Sequence, residues 1–280
     1  MIQIKDLEKR FGSFRLALSF SLPAGHVTGL IGRSGAGKSA LLDCIAGLLQ
    51  ADAGEILVFG KEVSRLTDKD RLRMVLSRQD AFPSSSLSAE EWGGLQKILF
   101  PTFDGEAFLN GCRDLAVPAD VPLRRLSEKV RRAVGFLGAF CRPADLYLLD
   151  EPTAGLDAGA REYLLDKLRT VLAENEGASV LIASQLSSDL EGLCDDLILL
   201  EDGQIRLQLE CDELRQSWGV IRVEKERFPQ LDPARLIACR EEGGICSCLT
   251  NDRAWFAEHF PDLVLEAGSI DALLLLKEKP

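Results

Sequence analysis

The chain has 280 residues, 46% of them hydrophobic, and a formal net charge of −11. That length carries one large domain or two of moderate size, with ample material for a core. The acidic balance argues against a general nucleic-acid binder, whose phosphate contacts need clustered Lys and Arg, and no apolar run approaches the ~18 residues of a membrane span.

Residues 1–25 read as short strands. Ile2-Gln3-Ile4 alternates, Phe14 to Leu22 alternates again, and Pro23-Ala24-Gly25 makes a turn. Phe11 lies upstream of a glycine-rich stretch, where an exposed aromatic can stack on a base or simply pack in the core.

His26 to Ile31 is a short, mostly apolar run that reads as a buried strand. Gly32-Arg33-Ser34-Gly35-Ala36-Gly37-Lys38-Ser39 follows and fits the phosphate-loop pattern in full. Its glycines let successive backbone N–H groups turn inward as an anion nest. Lys38 is placed to reach the β- and γ-phosphates, and the Ser39 hydroxyl to hold Mg2+. Ala40 to Ala46 reads as a buried helix ending near Gly47, and its N-terminal end adds positive potential.

Gly54 to Gly60 encloses another strand, and Met74 to Ser77 a further one before Arg78-Gln79-Asp80. From Leu87 to about Pro122 the pattern is helical, broken at Pro101, Pro118 and Pro122. A longer helix starts at Leu126-Ser127-Glu128-Lys129. Asp145 to Glu151 is then an apolar strand ending in two carboxylates, the companion that a phosphate loop requires. Asp150 can hold the metal, and Glu151 can orient or deprotonate the attacking water.

After Gly155-Leu156-Asp157 a helix runs to about Glu174. Ser179 to Ser184 forms the next strand, ending at Gln185, and Leu197 to Ile205 a hairpin with an Asp-Gly turn. Strands and helices alternate through the middle, so the core is expected to be a mostly parallel sheet covered by helices, with the phosphate site at its carboxyl ends. Beyond about Glu210 no chemical motif appears, and 211–280 reads as a small α+β appendage.

The eight cysteines are scattered. With no leader pattern, that usage fits a reducing cytosol. Cys239, Cys246 and Cys248 lie near one another, but their spacing does not match a zinc knuckle.

The order of these motifs resembles the ATP-binding subunits of ABC transporters over about residues 1–210. The resemblance implies an α/β fold: a P-loop NTPase (RecA-like) core with an antiparallel β subdomain and a helical insertion at about 84–140. It implies that Phe11 stacks on adenine and that residues 32–40 cradle the phosphates. Gln79 would sense Mg2+ and the attacking water and link the site to a permease. Glu151, Gln79 and Gln185 take the catalytic positions, and Ser39, Gln79 and Asp150 the metal positions. Ser127 would reach a phosphate across a dimer, and Asp157 would lie at the dimer seam. The implied partners are a transmembrane permease subunit and a second ATPase subunit, the same or different, with no nucleic acid. The implied place is cytoplasmic, peripheral at the inner face of the membrane. Phe100 to Asp104 and Trp218 to Ile221 look like bacterial exporter-type subunits that serve separate permeases.

Three departures stand out. Ala40 replaces a hydroxyl residue. Leu126-Ser127-Glu128-Lys129-Val130 replaces the Leu-Ser-Gly-Gly-Gln signature, and Gln185 replaces the switch histidine. The Gln185 amide can donate to a phosphate but cannot carry charge. The expectation is therefore slow, Glu151-dependent hydrolysis that drives a permease. The alternative is an ATP-sensing regulatory or immunity-type subunit that clamps and hardly turns over.

Overall fold

A computed structural model of the chain describes residues 1–78 and 86–273. Gln79 lies outside the described residues. The chain divides into two compact units: Met1–Asp189 with Ile198–Leu207, and Leu190–Leu197 with Gln208 onward.

β1 (Ile2–Phe11) and β2 (Phe14–Leu22) pair antiparallel. β1 is longer than the alternation at Ile2-Gln3-Ile4 foretold. Asp6 adopts φ 47°, and the register slips between Ile4 and Leu7, so the apolar period breaks although the strand continues. β3 (Val27–Ile31) is buried along its whole length and leads through the phosphate loop into α1 (Lys38–Ala46). Gly47, at φ 72°, ends α1. β4 (Ala53–Val58) and β5 (Lys61–Glu62) complete a four-stranded sheet in the order β2-β1-β4-β5. α2 (Asp68–Leu72) opens with a reciprocal Thr67–Asp70 cap and precedes β6 (Met74–Ser77).

Three helices follow: α3 (Ala89–Leu99), α4 (Gly105–Asp114) and α5 (Glu128–Phe140). Pro101 separates the first two, and Pro118 and Pro122 separate the second from the third, because proline lacks the N–H that would continue a helix. Trp92, Phe103 and Phe108 pack edge to face and tilted between them, with centroids 5.2–6.5 Å apart.

β7 (Leu146–Asp150), α6 (Ala158–Glu174), β8 (Ser179–Ala183), α7 (Ser187–Leu190), β9 (Asp196–Glu201) and β10 (Gln204–Glu210) complete the main sheet. Its order is β10-β9-β3-β8-β7-β6, and β3, β8, β7 and β6 run parallel. β7 and β8 are buried throughout, as parallel strands covered on both faces must be. The carboxyl ends of β3, β7 and β8 therefore point the same way. The β9–β10 turn has Asp202 at φ 47° and Gly203 at φ 76°, the two positive values of a tight hairpin turn.

The second unit contains α8 (Cys211–Ser217), β11 (Gly219–Glu224), β12 (Ala238–Glu242), β13 (Ile245–Thr250), α9 (Arg253–His259) and β14 (Val264–Ala267). Its antiparallel sheet runs β12-β13-β11-β14. Ile221, Val223, Cys246, Cys248 and Phe256 form its core. Cys239 stands directly opposite Cys248. Among the described residues, no group of three or more His, Cys, Asp or Glu side chains is placed to hold a metal ion.

Candidate nucleotide site

The loop between β3 and α1 is shaped by close approach. A Cβ on Gly32 would stand 2.4 Å from the carbonyl oxygen of Leu200, so a side chain has no room there. Gly35 (φ 81°) and Gly37 (φ 105°) take conformations that L side chains rarely adopt. No side chain caps α1, so its first N–H groups stay open toward the loop. Lys38 is buried, and its Nζ donates to the carbonyls of Gly32 at 2.8 Å and Arg33 at 3.3 Å. The ammonium thus sits in the cup that the loop makes.

The two carboxylates arrive from β7. Asp150 and Glu151 are 5% and 6% exposed. Among the described residues, Asp150 Oδ1 and Glu151 Oε1 are buried without a hydrogen-bond partner, which is costly for a carboxylate and marks both as open to a ligand. Lys38 Nζ lies 3.6 Å from Glu151 Oε1. Glu151 Oε2 accepts the backbone N–H of Gln185 at 3.1 Å, and the Glu151 N–H donates to Ala183 at 2.8 Å. Glu151 itself has φ 51°, a region uncommon for a residue with a side chain.

These residues face one cavity of about 280 Å³, lined by Phe11, Phe14, Arg33, Ser34, Gly35, Gly37, Lys38, Ser39, Ala40, Asp150, Glu151 and Gln185. Most of the residues singled out in the sequence meet here. Gly32 and Ala36 do not line it. Gly32 contributes its carbonyl to Lys38, and Ala36 is buried in the core. Ser127 also stands apart: its hydroxyl accepts the N–H of Val130 at 3.4 Å and caps α5. Asp157 likewise caps α6 through Ala160 N–H.

Phe14 also lines the cavity, and the sequence did not single it out. Its ring lies 6.3 Å from that of Phe11 and touches the loop, since a Cβ on Gly37 would meet Phe14 at 3.0 Å. Its place in an alternating strand hides this, because an inward phenylalanine in a strand is ordinarily core. The contacts of Arg132 were not legible either. It pairs with Glu128 at 2.5 Å and donates to the carbonyl of Ala154 at 3.2 Å. The helix spacing of four allows that pair, but nothing in the sequence announces the reach to Ala154.

The chemistry of the donors is consistent. A nest of N–H groups and an ammonium suit phosphates. Phe11 is 42% exposed and offers a flat apolar face beside them. Asp150 and the Ser39 hydroxyl suit a hard cation with oxygen ligands.

The sequence pattern of the "ABC transporter" family matches residues 16–154. The chain is similar to the ABC transporter ATP-binding protein YtrB of Bacillus subtilis (strain 168), 26% identical over 246 residues and 84% of each chain. It is 31% identical over 215 residues to the Nod factor export ATP-binding protein I of Burkholderia orbicola (strain AU 1054), covering 72% of this chain and 68% of that one. It is 30% identical over 239 residues to the daunorubicin resistance ATP-binding protein DrrA3 of Streptomyces coeruleorubidus, covering 80% and 72%. Among solved structures, an ATP-binding subunit of an ABC transporter matches with a TM-score of 0.67 at 23% identity, covering 77% of this chain and 92% of that one. A dimeric ATP-binding cassette in a post-hydrolysis state bound to ADP and Pi matches with a TM-score of 0.64 at 20% identity, covering 75% and 98%. With its phosphate loop, paired carboxylates and cassette fold, the chain belongs to the ATP-binding subunits of the ABC transporter family, which are P-loop ATPases.

Proposed function

We propose that this subunit binds Mg-ATP, closes head to tail with a second ATPase subunit, and uses slow hydrolysis to drive a membrane permease of exporter type. The observation that carries the reading is the meeting of Lys38, Asp150, Glu151 and Gln185 around one cavity. Export and drug resistance in the names of two relatives support the direction. No helix among the described residues is long and apolar enough to cross a membrane. The subunit would then work at the cytoplasmic face, held there by its permease, with no nucleic-acid partner.

The residues take these roles. Residues 32–40 wrap the phosphates, with Lys38 leaving the carbonyls of Gly32 and Arg33 for phosphate oxygens. Phe11 and Phe14 offer aromatic faces to the base. Ser39 and Asp150 would hold Mg2+, with Gln79 in the same shell as the motif order implies. Asp150 Oδ1, buried and without a hydrogen-bond partner among the described residues, fits such an ion. When bound, Mg2+ supplies neutralisation of phosphate charge. Glu151 orients the water and accepts its proton, and Gln185 donates a neutral hydrogen bond to the γ-phosphate. Ser127 acts across the dimer on the partner's nucleotide.

The test is nucleotide titration and phosphate release on the full chain. Lys38→Ala should weaken ATP binding at least tenfold, about 1.4 kcal/mol. Glu151→Gln should abolish the rate. Unchanged affinity in the first variant refutes the site. Wild-type release no faster than that of Glu151→Gln, with permease and partner present, replaces the motor by an ATP-sensing clamp.

A further inference from the structure

Behind the site sits a buried carboxylate with no part in the chemistry so far. Asp189 is 1% exposed. It accepts hydrogen bonds from the Thr153 hydroxyl, from the Ser184 hydroxyl at 2.9 Å and from Arg161 Nε at 2.5 Å. Arg161 also donates to the Ser188 hydroxyl. Thr153 comes two residues after Glu151, Ser184 comes one residue before Gln185, and Arg161 lies on α6. One carboxylate therefore ties the segment leaving β7 to the segment leaving β8.

Glu151 is held between those two segments. Its N–H reaches Ala183, and its carboxylate accepts the N–H of Gln185. Its φ of 51° persists only where the surroundings over-determine it. A small shift of the β8 end against the β7 end would carry the Gln185 amide away from the carboxylate. Stability alone does not call for an acid at position 189. A buried ion pair is often no better than an apolar side chain of similar size, whereas a carboxylate with several directional bonds fixes geometry.

We propose that Asp189 is a positioning residue for hydrolysis. With Arg161, Thr153 and Ser184 it locks the ends of β7 and β8 together, so that the backbone N–H of Gln185 keeps Glu151 aimed at the attacking water. The inference rests on the assignment of Glu151 made above.

Two readouts on the full chain test it with Asp189→Ala, Asp189→Asn and Ser184→Ala. The first is hydrogen exchange at the Gln185 amide, followed by NMR without nucleotide. Asp189→Ala should speed that exchange at least tenfold and leave the amides of β8 protected. The second is steady-state phosphate release with permease and partner present. The kcat should fall at least tenfold while KM stays within twofold, and Asp189→Asn, which keeps one acceptor oxygen, should lose less. Ser184→Ala removes one hydroxyl and leaves the Asp189–Arg161 pair. It should move both readouts threefold or more, and it decides the matter if Asp189→Ala does not fold. Unchanged exchange at Gln185 overturns the proposal, and so does faster exchange with an unchanged kcat. A parallel fall in kcat, nucleotide affinity and Tm also overturns it, because that is the mark of a merely structural role. If the wild-type chain shows no Glu151-dependent release with permease and partner present, the motor reading fails, and the exchange readout alone decides whether Asp189 holds the Gln185 backbone N–H.

Discussion

The Lys38 ammonium lies 3.6 Å from Oε1 of Glu151, with both side chains 6% exposed. Among the described residues that oxygen has no hydrogen-bond donor, and the Lys38 ammonium offsets its charge. Removing one partner of a buried pair leaves the other uncompensated, at a cost on the order of 3 kcal/mol. Lys38→Ala should therefore lower the Tm of the nucleotide-free chain. Adding Glu151→Gln should return most of that loss, because no stranded charge remains. Thermal denaturation without nucleotide checks this, and losses that simply add would show the pair is uncoupled.

Gln185→His should raise turnover and leave ATP affinity nearly unchanged. The position is exposed and lines the nucleotide cavity, and its backbone N–H, which a histidine keeps, holds Glu151. An imidazole can offer a charge-assisted hydrogen bond, roughly twice as strong as a neutral one, where charge gathers on the transferring phosphoryl group. A gain on the order of tenfold corresponds to ~1.4 kcal/mol of transition-state stabilisation. If instead Glu128→Gly with Lys129→Gly restores turnover and Gln185→His does not, the altered signature is the limiting defect.

The signature segment is expected to limit dimerisation. Glu128 is 58% exposed and paired with Arg132. Closing a dimer over it would strip water from a carboxylate beside phosphate charge. The Glu151→Gln variant with ATP should therefore elute as a monomer in size-exclusion chromatography. Glu128→Gly with Lys129→Gly in that background should bring out a dimer peak. A stable dimer without the repair would show that this signature grips as it stands.

Acid should reveal the cap of α2. The Asp70 carboxylate accepts from Lys61 Nζ at 2.8 Å on both oxygens, from the Thr67 hydroxyl at 2.7 Å and from Thr67 N–H at 2.9 Å. The Lys61 bond first, and then the Thr67 bonds, hold its pKa below the usual carboxylate range. A depressed pKa gives stability that is fully present above the unfolded value of about 4 and is lost as pH falls through the folded value. Asp70→Asn should thus lower Tm at neutral pH, and the gap from wild type should close progressively below about pH 4. A gap that stays constant into strong acid would show that the charge of Asp70 contributes nothing.

Local patterns carried much of this molecule, and contacts between distant segments did not. The strand before Gly32, the glycine loop and the helix after it form one continuous run of sequence, and the structure places them as that run reads. Asp150 and Glu151 were legible because an apolar strand ending in two acids has little other purpose beside such a loop. Phe14 was not, since its value depends on lying beside Gly37 in space. Asp189 was invisible because its partners at 153, 161 and 184 come from three separate elements, and a lone Asp in a polar run reads as surface. Beyond Ile4 the first strand hid behind the slip at Asp6, which breaks the alternation without ending the pairing.

The turn at Gly203 bears on how the nucleotide site comes into being. Its N–H bonds to the carbonyl of Ala36 in the phosphate loop at 3.1 Å, and its carbonyl accepts the N–H of Ala17 at 2.7 Å. A Cβ there would stand 2.1 Å from the Arg15 carbonyl, so only glycine fits between loop and strand. The phosphate loop is thus braced from behind by a residue made about 170 positions later. A nascent chain emerges from its N-terminus, so the loop leaves the ribosome long before its brace exists. The backing of the loop is therefore complete only after the turn between β9 and β10 has been synthesised.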